Sequence, residues 1–211
     1  MAAIVHDRLS FEIRYREWEH GWIVYNIAYT WDGEPIFNDA VMKRHNDYWD
    51  GRGRGEFHAN ENELCCFIPL LDRIIETQAA GHVTTLDPDV TLAIWPHDTF
   101  PFLPSNWRLV YESPDAQSRR EAEAVQRREA GGILTTDRVE LMLFVDTYNF
   151  RNSGPYSGEG VCLRMRPTWS ELQRFRSDLK AEFKAFATQH RIVEQYEAEI
   201  DDLPDAWAWL K

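Results

Sequence analysis

Between Ser10 and Arg16 every second residue is apolar. Phe11, Ile13 and Tyr15 share one side of an extended chain, and Glu12, Arg14 and Arg16 share the other. A period of two predicts a half-buried strand. Trp22 to Trp31 repeats it, with Ile23, Tyr25, Ile27, Tyr29 and Trp31 on one face and Val24, Asn26, Ala28 and Thr30 on the opposite one. Asp32-Gly33 is a strong hairpin signal, and Pro35-Ile36-Phe37 begins a returning strand. The first third of the chain therefore predicts an antiparallel meander.

The pattern then breaks. Lys43 to Gly55 carries His45, Asn46, Asp47, Asp50 and a Gly51-Arg52-Gly53-Arg54-Gly55 run, a glycine density that predicts a loop. Leu64, Phe67, Ile68, Leu71, Ile74 and Ile75 recur at helical spacing, with Asn60 or Asn62 as a cap and Gly81 past the end. Pro69 is incompatible with a helix interior, so the helix either starts near Ile68 with Pro69 in its first turn or is kinked there. Val90 to Trp95 and Trp107 to Tyr111 read as strands around a turn holding Pro96, Pro101 and Pro104. Ser113-Pro114-Asp115 opens a helix with Pro at the first helical position. Its continuation, Ala116 to Ala130, has Val125 as its one apolar anchor, and Gly131-Gly132 ends it. Residues 113–132 thus form a charged helical excursion, either solvated or a lid.

Val139, Leu141, Leu143 and Val145 alternate with Glu140, Met142, Phe144 and Asp146, a central strand buried on most of both faces. Val161, Leu163 and Met165 alternate with Cys162, Arg164 and Arg166 in another. Thr168-Trp169-Ser170-Glu171 is a capping box, and Leu172, Phe175, Leu179, Phe183 and Phe186 form the apolar stripe of a helix running to about Tyr196. These elements predict one α+β domain over residues 1–211. Its expected form is a twisted, mainly antiparallel sheet of about six to eight strands, with two packed helices and one exposed charged helix.

A chain of 211 residues buries roughly 70% of its unfolded surface and needs no covalent staples. Nine Trp, eight Tyr and eleven Phe either fill that core or line a groove or interface. The net charge of −12 repels phosphate backbones and anionic lipid and attracts basic proteins, which disfavours direct nucleic-acid or membrane binding. The three cysteines, Cys65, Cys66 and Cys162, make no disulfide framework, and Cys65 and Cys162 read as small buried hydrophobes. Met1 to Arg8 holds no basic leader followed by an apolar stretch, and the longest near-apolar run, Leu64 to Leu71, is far short of a membrane span. A cytoplasmic protein is expected.

The chain contains no phosphate loop, dinucleotide fingerprint, paired CxxC, HExxH or GxSxG. The glycine-rich run lacks the Lys-Ser/Thr of a phosphate loop, and no Ser or Cys sits in a nucleophile context. Asp146, ending a buried strand, is the best single candidate for a perturbed pKa, or else bonds loop backbone. His45, Asp47, Asp50 and His58 fall within fourteen residues. Imidazole and carboxylate ligands suit Zn²⁺ or Mn²⁺, and His97 with Asp98 supplies more from across the fold. A metal-dependent hydrolase that activates water at His45, Asp47, His58, His97 and Asp98 is the enzymatic alternative. The balance of signals favours a binding protein without a cofactor.

The carboxy-terminal stretch is the most suggestive interaction element. Residues 197–211 form an acidic aromatic tail. Glu194, Glu197, Glu199, Asp201, Asp202 and Asp205 carry no intervening base, and Trp207, Trp209 and Leu210 follow. Charge steers a basic partner and aromatics anchor it. Otherwise the acids are a solvated helix face and the tryptophans fold back on the sheet. The aromatic meander (Phe11 to Tyr15, then Trp22 to Asp32), the late strand Leu141 to Asp146 and the closing helix from Thr168 together resemble, in outline, the immunity proteins of bacterial polymorphic and contact-dependent toxins. That resemblance implies a chain that binds a cognate toxin, often a basic nuclease, and does no chemistry. A third reading is an acidic decoy of nucleic acid in phage or bacterial conflict.

Overall fold

The early alternation folds as strands β1 (Ala2–His6), β2 (Leu9–Glu19) and β3 (Trp22–Trp31), each antiparallel to the next. They belong to a computed structural model that describes residues 1–19, 22–38, 57–60, 67–84, 90–96, 137–146, 160–199 and 205–210, with Ala122 and Gln126. Ile4 of β1, Phe11, Ile13 and Tyr15 of β2, and Ile23, Tyr25, Ile27 and Tyr29 of β3 are buried, as their parity requires. After Tyr15 the register shifts: Tyr15 pairs with Tyr25, and Glu17 pairs with Val24. The extra residue, Arg16, is a β-bulge, and it reverses the parity of the rest of the strand. Trp18 therefore lies opposite Ile23 and packs on the core, where unbroken alternation would have placed Glu17.

β3 turns at Asp32-Gly33 into β4 (Glu34–Phe37). Both turn residues have positive φ, 53° and 80°, as the favoured two-residue hairpin turn demands. β5 (Phe57–Asn60) pairs with the other half of the same β3 edge, Trp22 to Tyr25, so among the described residues the first sheet has five strands but is only four strands wide.

A second, separate sheet has four strands in sequential order: β6 (Gly81–Thr84), β7 (Val90–Pro96), β8 (Val139–Asp146) and β9 (Gly160–Met165). All pairings are antiparallel. The single sheet of six to eight strands expected from the sequence is thus two smaller sheets. Period-two patterning marks strands but does not say which edges meet. Trp107 to Tyr111 lies outside the described residues. Of 113–132, Ala122 and Gln126 are described, and both are helical and exposed.

Helix α1 (Phe67–Thr77) carries Pro69 in its first turn, where a missing amide hydrogen costs nothing. Gly81 opens β6 so close to α1 that a Cβ there would lie 2.9 Å from Leu70 Cδ1. Helix α2 (Trp169–Gln189) begins at the capping box: the Thr168 hydroxyl accepts from the Glu171 amide at 3.1 Å, and the Glu171 carboxylate accepts from the Thr168 amide at 2.7 Å. Its stripe of Leu172, Phe175, Leu179, Phe183 and Phe186 is buried. The helix ends earlier than the sequence suggests. His190 caps it, Arg191 takes a φ of 53°, and α3 (Ile192–Glu199) follows in a new direction. A short 3₁₀ helix, Asp205–Leu210, ends the described chain.

α2 lies against β1 and β2, α1 packs beside α2, and α1 reaches β6, so the helix pair links the two sheets. One core cluster runs through both sheets, α1, α2, α3 and the 3₁₀ helix. Among the described residues, no helix is long and apolar enough to cross a membrane.

Candidate interaction surface

The expected carboxy-terminal site is built on α3 and the 3₁₀ helix, and the two are stitched to the body by aromatics. Trp207 is fully buried, with its ring 5.6 Å from Phe183 (edge-on) and 5.6 Å from Tyr196. Trp209 is half-buried, 6.0 Å from the Phe183 ring, and the Lys180 ammonium lies 5.5 Å above it. Lys180 also pairs with Asp72 of α1 at 2.7 Å, and Arg176 pairs with the other oxygen of Asp72 at 2.8 Å. The tail is therefore clamped across α2. Trp207 is its internal anchor rather than a surface presented to a partner. On α3 the burial of Ile192 and Tyr196 turns Glu194 and Glu197 outward, and both are exposed. Glu194 accepts from Arg191 Nε at 2.6 Å, an exposed pair that contributes little stability and leaves the carboxylate at the surface. The Trp18 indole donates to Gln195 at 2.9 Å, fixing α3 against β2. Asp201 and Asp202 lie outside the described residues. Glu199 and Asp205 are placed by backbone alone, at the end of α3 and the start of the 3₁₀ helix.

Other expected residues fall elsewhere. His45, Asp47, Asp50, His97 and Asp98 are outside the described residues, as are Cys65 and Cys66. His58 sits in β5 opposite Val24. Among the described residues, no group of three His, Cys, Asp or Glu is placed to hold a metal ion. Asp146 ends β8 opposite Gly160. Cys162 is exposed rather than buried, because the parity of β9 puts it on the face shared with Arg164 and Phe144, away from Leu163 and Met165. Desolvation nonetheless holds its thiol above the ordinary range against the pull of Arg164, which disfavours a reactive thiolate. Burial, with a smaller contribution from Cys162, pushes the Tyr29 phenol up to about 12.

A polar node joins the start of α2 to both sheets. His6 Nδ1 lies 2.9 Å from Glu171 Oε2, and its Nε2 lies 2.5 Å from Arg138 Nη1, whose residue precedes β8. The guanidinium has only donors, so Nε2 is the acceptor and the Nδ1 hydrogen goes to Glu171. The Val139 amide donates to Pro167 O at 2.8 Å beside it. Desolvation raises the Glu171 carboxyl, but hydrogen bonds from the Thr168 amide and hydroxyl, with the His6 contact, outweigh it and hold Glu171 below the usual range. A depressed carboxyl contributes stability that is complete above its unfolded pKa and is lost as pH falls through the folded one. Thermal melts from neutral pH down through the ordinary glutamate range should show a steep acid limb for the native chain and a shallower one for Glu171→Gln. Glutamine keeps the capping geometry but cannot titrate. Identical acid limbs would place the acid sensitivity in other carboxylates.

The far end of the first sheet holds a cluster that alternation alone misses. The last buried row of its core face is Phe11, Tyr29 and Phe37. The next row on that face is Leu9, Trp31 and Glu34, and there burial fails: Leu9 is half-buried, Glu34 is exposed, and Trp31 is 51% exposed. Arg8, from the β1–β2 turn, lies 5.4 Å above the Trp31 ring and donates through Nε to both Asp32 oxygens, at 2.7 and 2.8 Å. The Asp32 amide donates to Arg8 O at 2.7 Å, so the two hairpin turns are fastened together. Hydrogen bonding to Arg8 comes first among the causes that lower the Asp32 carboxyl.

Comparison of the chain with protein-family models, with curated proteins and with solved structures finds no match.

Proposed function

We propose that this chain is a binding protein of inhibitor type, which neutralises a basic protein such as a toxin through an acidic surface bearing aromatic side chains. The observation that carries the reading is the run from Glu194 to Asp205, six carboxylates with no base, in a chain of net charge −12. Glu194 and Glu197 point outward from α3, and Trp207 and Trp209 tether the far end of the run to α2. An acidic face of this kind speeds the encounter with a cationic partner and selects against nucleic acid and anionic membranes. Tethering at both ends limits the chain entropy lost when a partner settles on the run. The outline resemblance to toxin-immunity proteins points the same way.

The test is affinity capture of the tagged full chain from its native lysate at low and at high salt, followed by mass spectrometry and reconstitution with the purified partner. The expected result is a stoichiometric basic protein whose complex weakens as salt rises. In reconstitution, Glu194→Lys with Glu197→Lys should slow association more than it speeds dissociation. Capture of nothing, together with a stoichiometric transition metal in the purified chain, would replace this reading with the hydrolase at His45, Asp47, His58, His97 and Asp98.

A further inference from the structure

We infer that the Trp31 end of the first sheet is the apolar anchor of the binding surface, and that the basic partner meets it with an apolar side chain flanked by Lys or Arg. The inference rests on the binding reading above and names the place where the partner's contact energy is concentrated. The tail supplies charge but little apolar contact, because Trp207 is wholly inside. Trp31 is the reverse case, a large aromatic ring held at the surface.

Two features distinguish it from a stray exposed hydrophobe. The first is that the ring is held in place. Arg8 covers part of it, Asp32 grips Arg8 through both carboxylate oxygens, and the turns are joined by the Asp32 amide. A partner therefore meets a side chain whose rotamer freedom is already restricted, and less entropy is lost on contact. Trp and Arg are also the residues most enriched at the energetic centres of interfaces. The second is that Trp31 has apolar company inside an acidic rim. Leu9, its half-buried partner across the β2–β3 pair, continues the apolar surface on the same face, and the exposed Glu34 lies on its other side in the same row. Beside Trp31 stand the exposed carboxylates of Asp32 and Glu34 and the guanidinium of Arg8, a local excess of one negative charge. An apolar centre with an anionic rim fits a cationic segment carrying an aliphatic or aromatic residue. The rim repels phosphate and acidic protein surfaces. Val161, another exposed apolar residue, lies opposite Val145 in the second sheet, away from Trp31 along the chain and on a different sheet, and serves as the control.

The probe is a fluorescent peptide of alternating lysine and leucine, titrated with the full-length chain at low and high salt and followed by anisotropy. The native chain should bind it, more weakly at high salt. Trp31→Ala and Glu34→Lys should each weaken binding about tenfold or more, with melting curves close to native because both residues are exposed. Val161→Ser should bind as the native chain does. Native-like binding by both Trp31→Ala and Glu34→Lys, with loss on Glu194→Lys and Glu197→Lys, would overturn this anchor while leaving the basic-partner reading in place. Failure of the native chain to bind the peptide at low salt would count against both.

Discussion

Replacing Trp207 with alanine should lower the free energy of unfolding by about 3–5 kcal/mol, the range for truncating a buried tryptophan. Trp207 has no exposed surface and holds ring contacts with Phe183 and Tyr196. Phe183 in turn packs on Tyr15, Phe186 and Trp209, so the cavity would open where α2, α3, β2 and the tail converge. The indole Nε1 has no hydrogen-bond partner among the described residues. Trp207→Phe therefore loses volume but no hydrogen bond, and should cost clearly less than the alanine change. Chemical denaturation of the three proteins measures this. A Trp207→Ala chain within about 1 kcal/mol of native would mean that the tail is not integral to the core. The functional consequence is indirect. If the acidic run works as proposed, Trp207→Ala weakens a basic partner by releasing the run from α2, and proteolysis should then cut near the carboxy terminus before the body unfolds.

The same residue shows where the sequence is legible and where it is not. Alternation located β2, β3, β8 and β9, because successive side chains of a strand point to opposite faces and the pattern repeats every two residues. Asp32-Gly33 announced its turn because few other residues accept positive φ at both positions. The capping box fixed the start of α2 because its two hydrogen bonds need those side chains at that spacing. Each of these signals is local. The features that escaped depend on which surfaces meet. No residue in the Thr188 to Arg191 stretch announces the left-handed turn at Arg191 that ends α2, since arginine is not a residue that favours positive φ. The division into two sheets depends on edge pairing across long intervals. Trp207 and Trp31 exchange their expected roles for the same reason. A tryptophan near the end of the chain looks exposed until a helix stripe covers it, and a tryptophan in register with a buried strand face looks buried until the sheet outruns its cover. Of the candidate site, the acidic run could be read from the sequence, which also allowed its tryptophans to fold back on the sheet; that they fold onto Phe183 and Lys180 of α2 could not be read.

The second large effect is expected at Arg164. Glu140 has no exposed surface, although it lies on the face of β8 opposite Val139 and Leu141. Its carboxylate accepts from Arg164 Nε at 2.5 Å, across the β8–β9 pair. Taking a carboxylate out of water costs several kcal/mol, and a guanidinium at hydrogen-bond distance offsets much of that. The Arg164 side chain is itself 35% exposed, so water reaches one side of the pair and screens it. Arg164→Met, which keeps the aliphatic stem but removes the charge, should therefore destabilise by about 2–3 kcal/mol, below the roughly 3–5 kcal/mol of a fully enclosed pair. Glu140→Met alone removes the charge that needs compensating and should cost less than Arg164→Met. The double variant Arg164→Met with Glu140→Met should recover most of the loss, giving a coupling of about 1–2 kcal/mol in a double-mutant cycle. Additive losses would show that Glu140 is held chiefly by its other contacts. The cycle also bears on the choice between readings. A buried carboxylate on a central strand invites assignment as a catalytic acid, and a strong coupling to Arg164 would instead identify Glu140 as the ionised partner of a structural pair that fixes β9 beside β8.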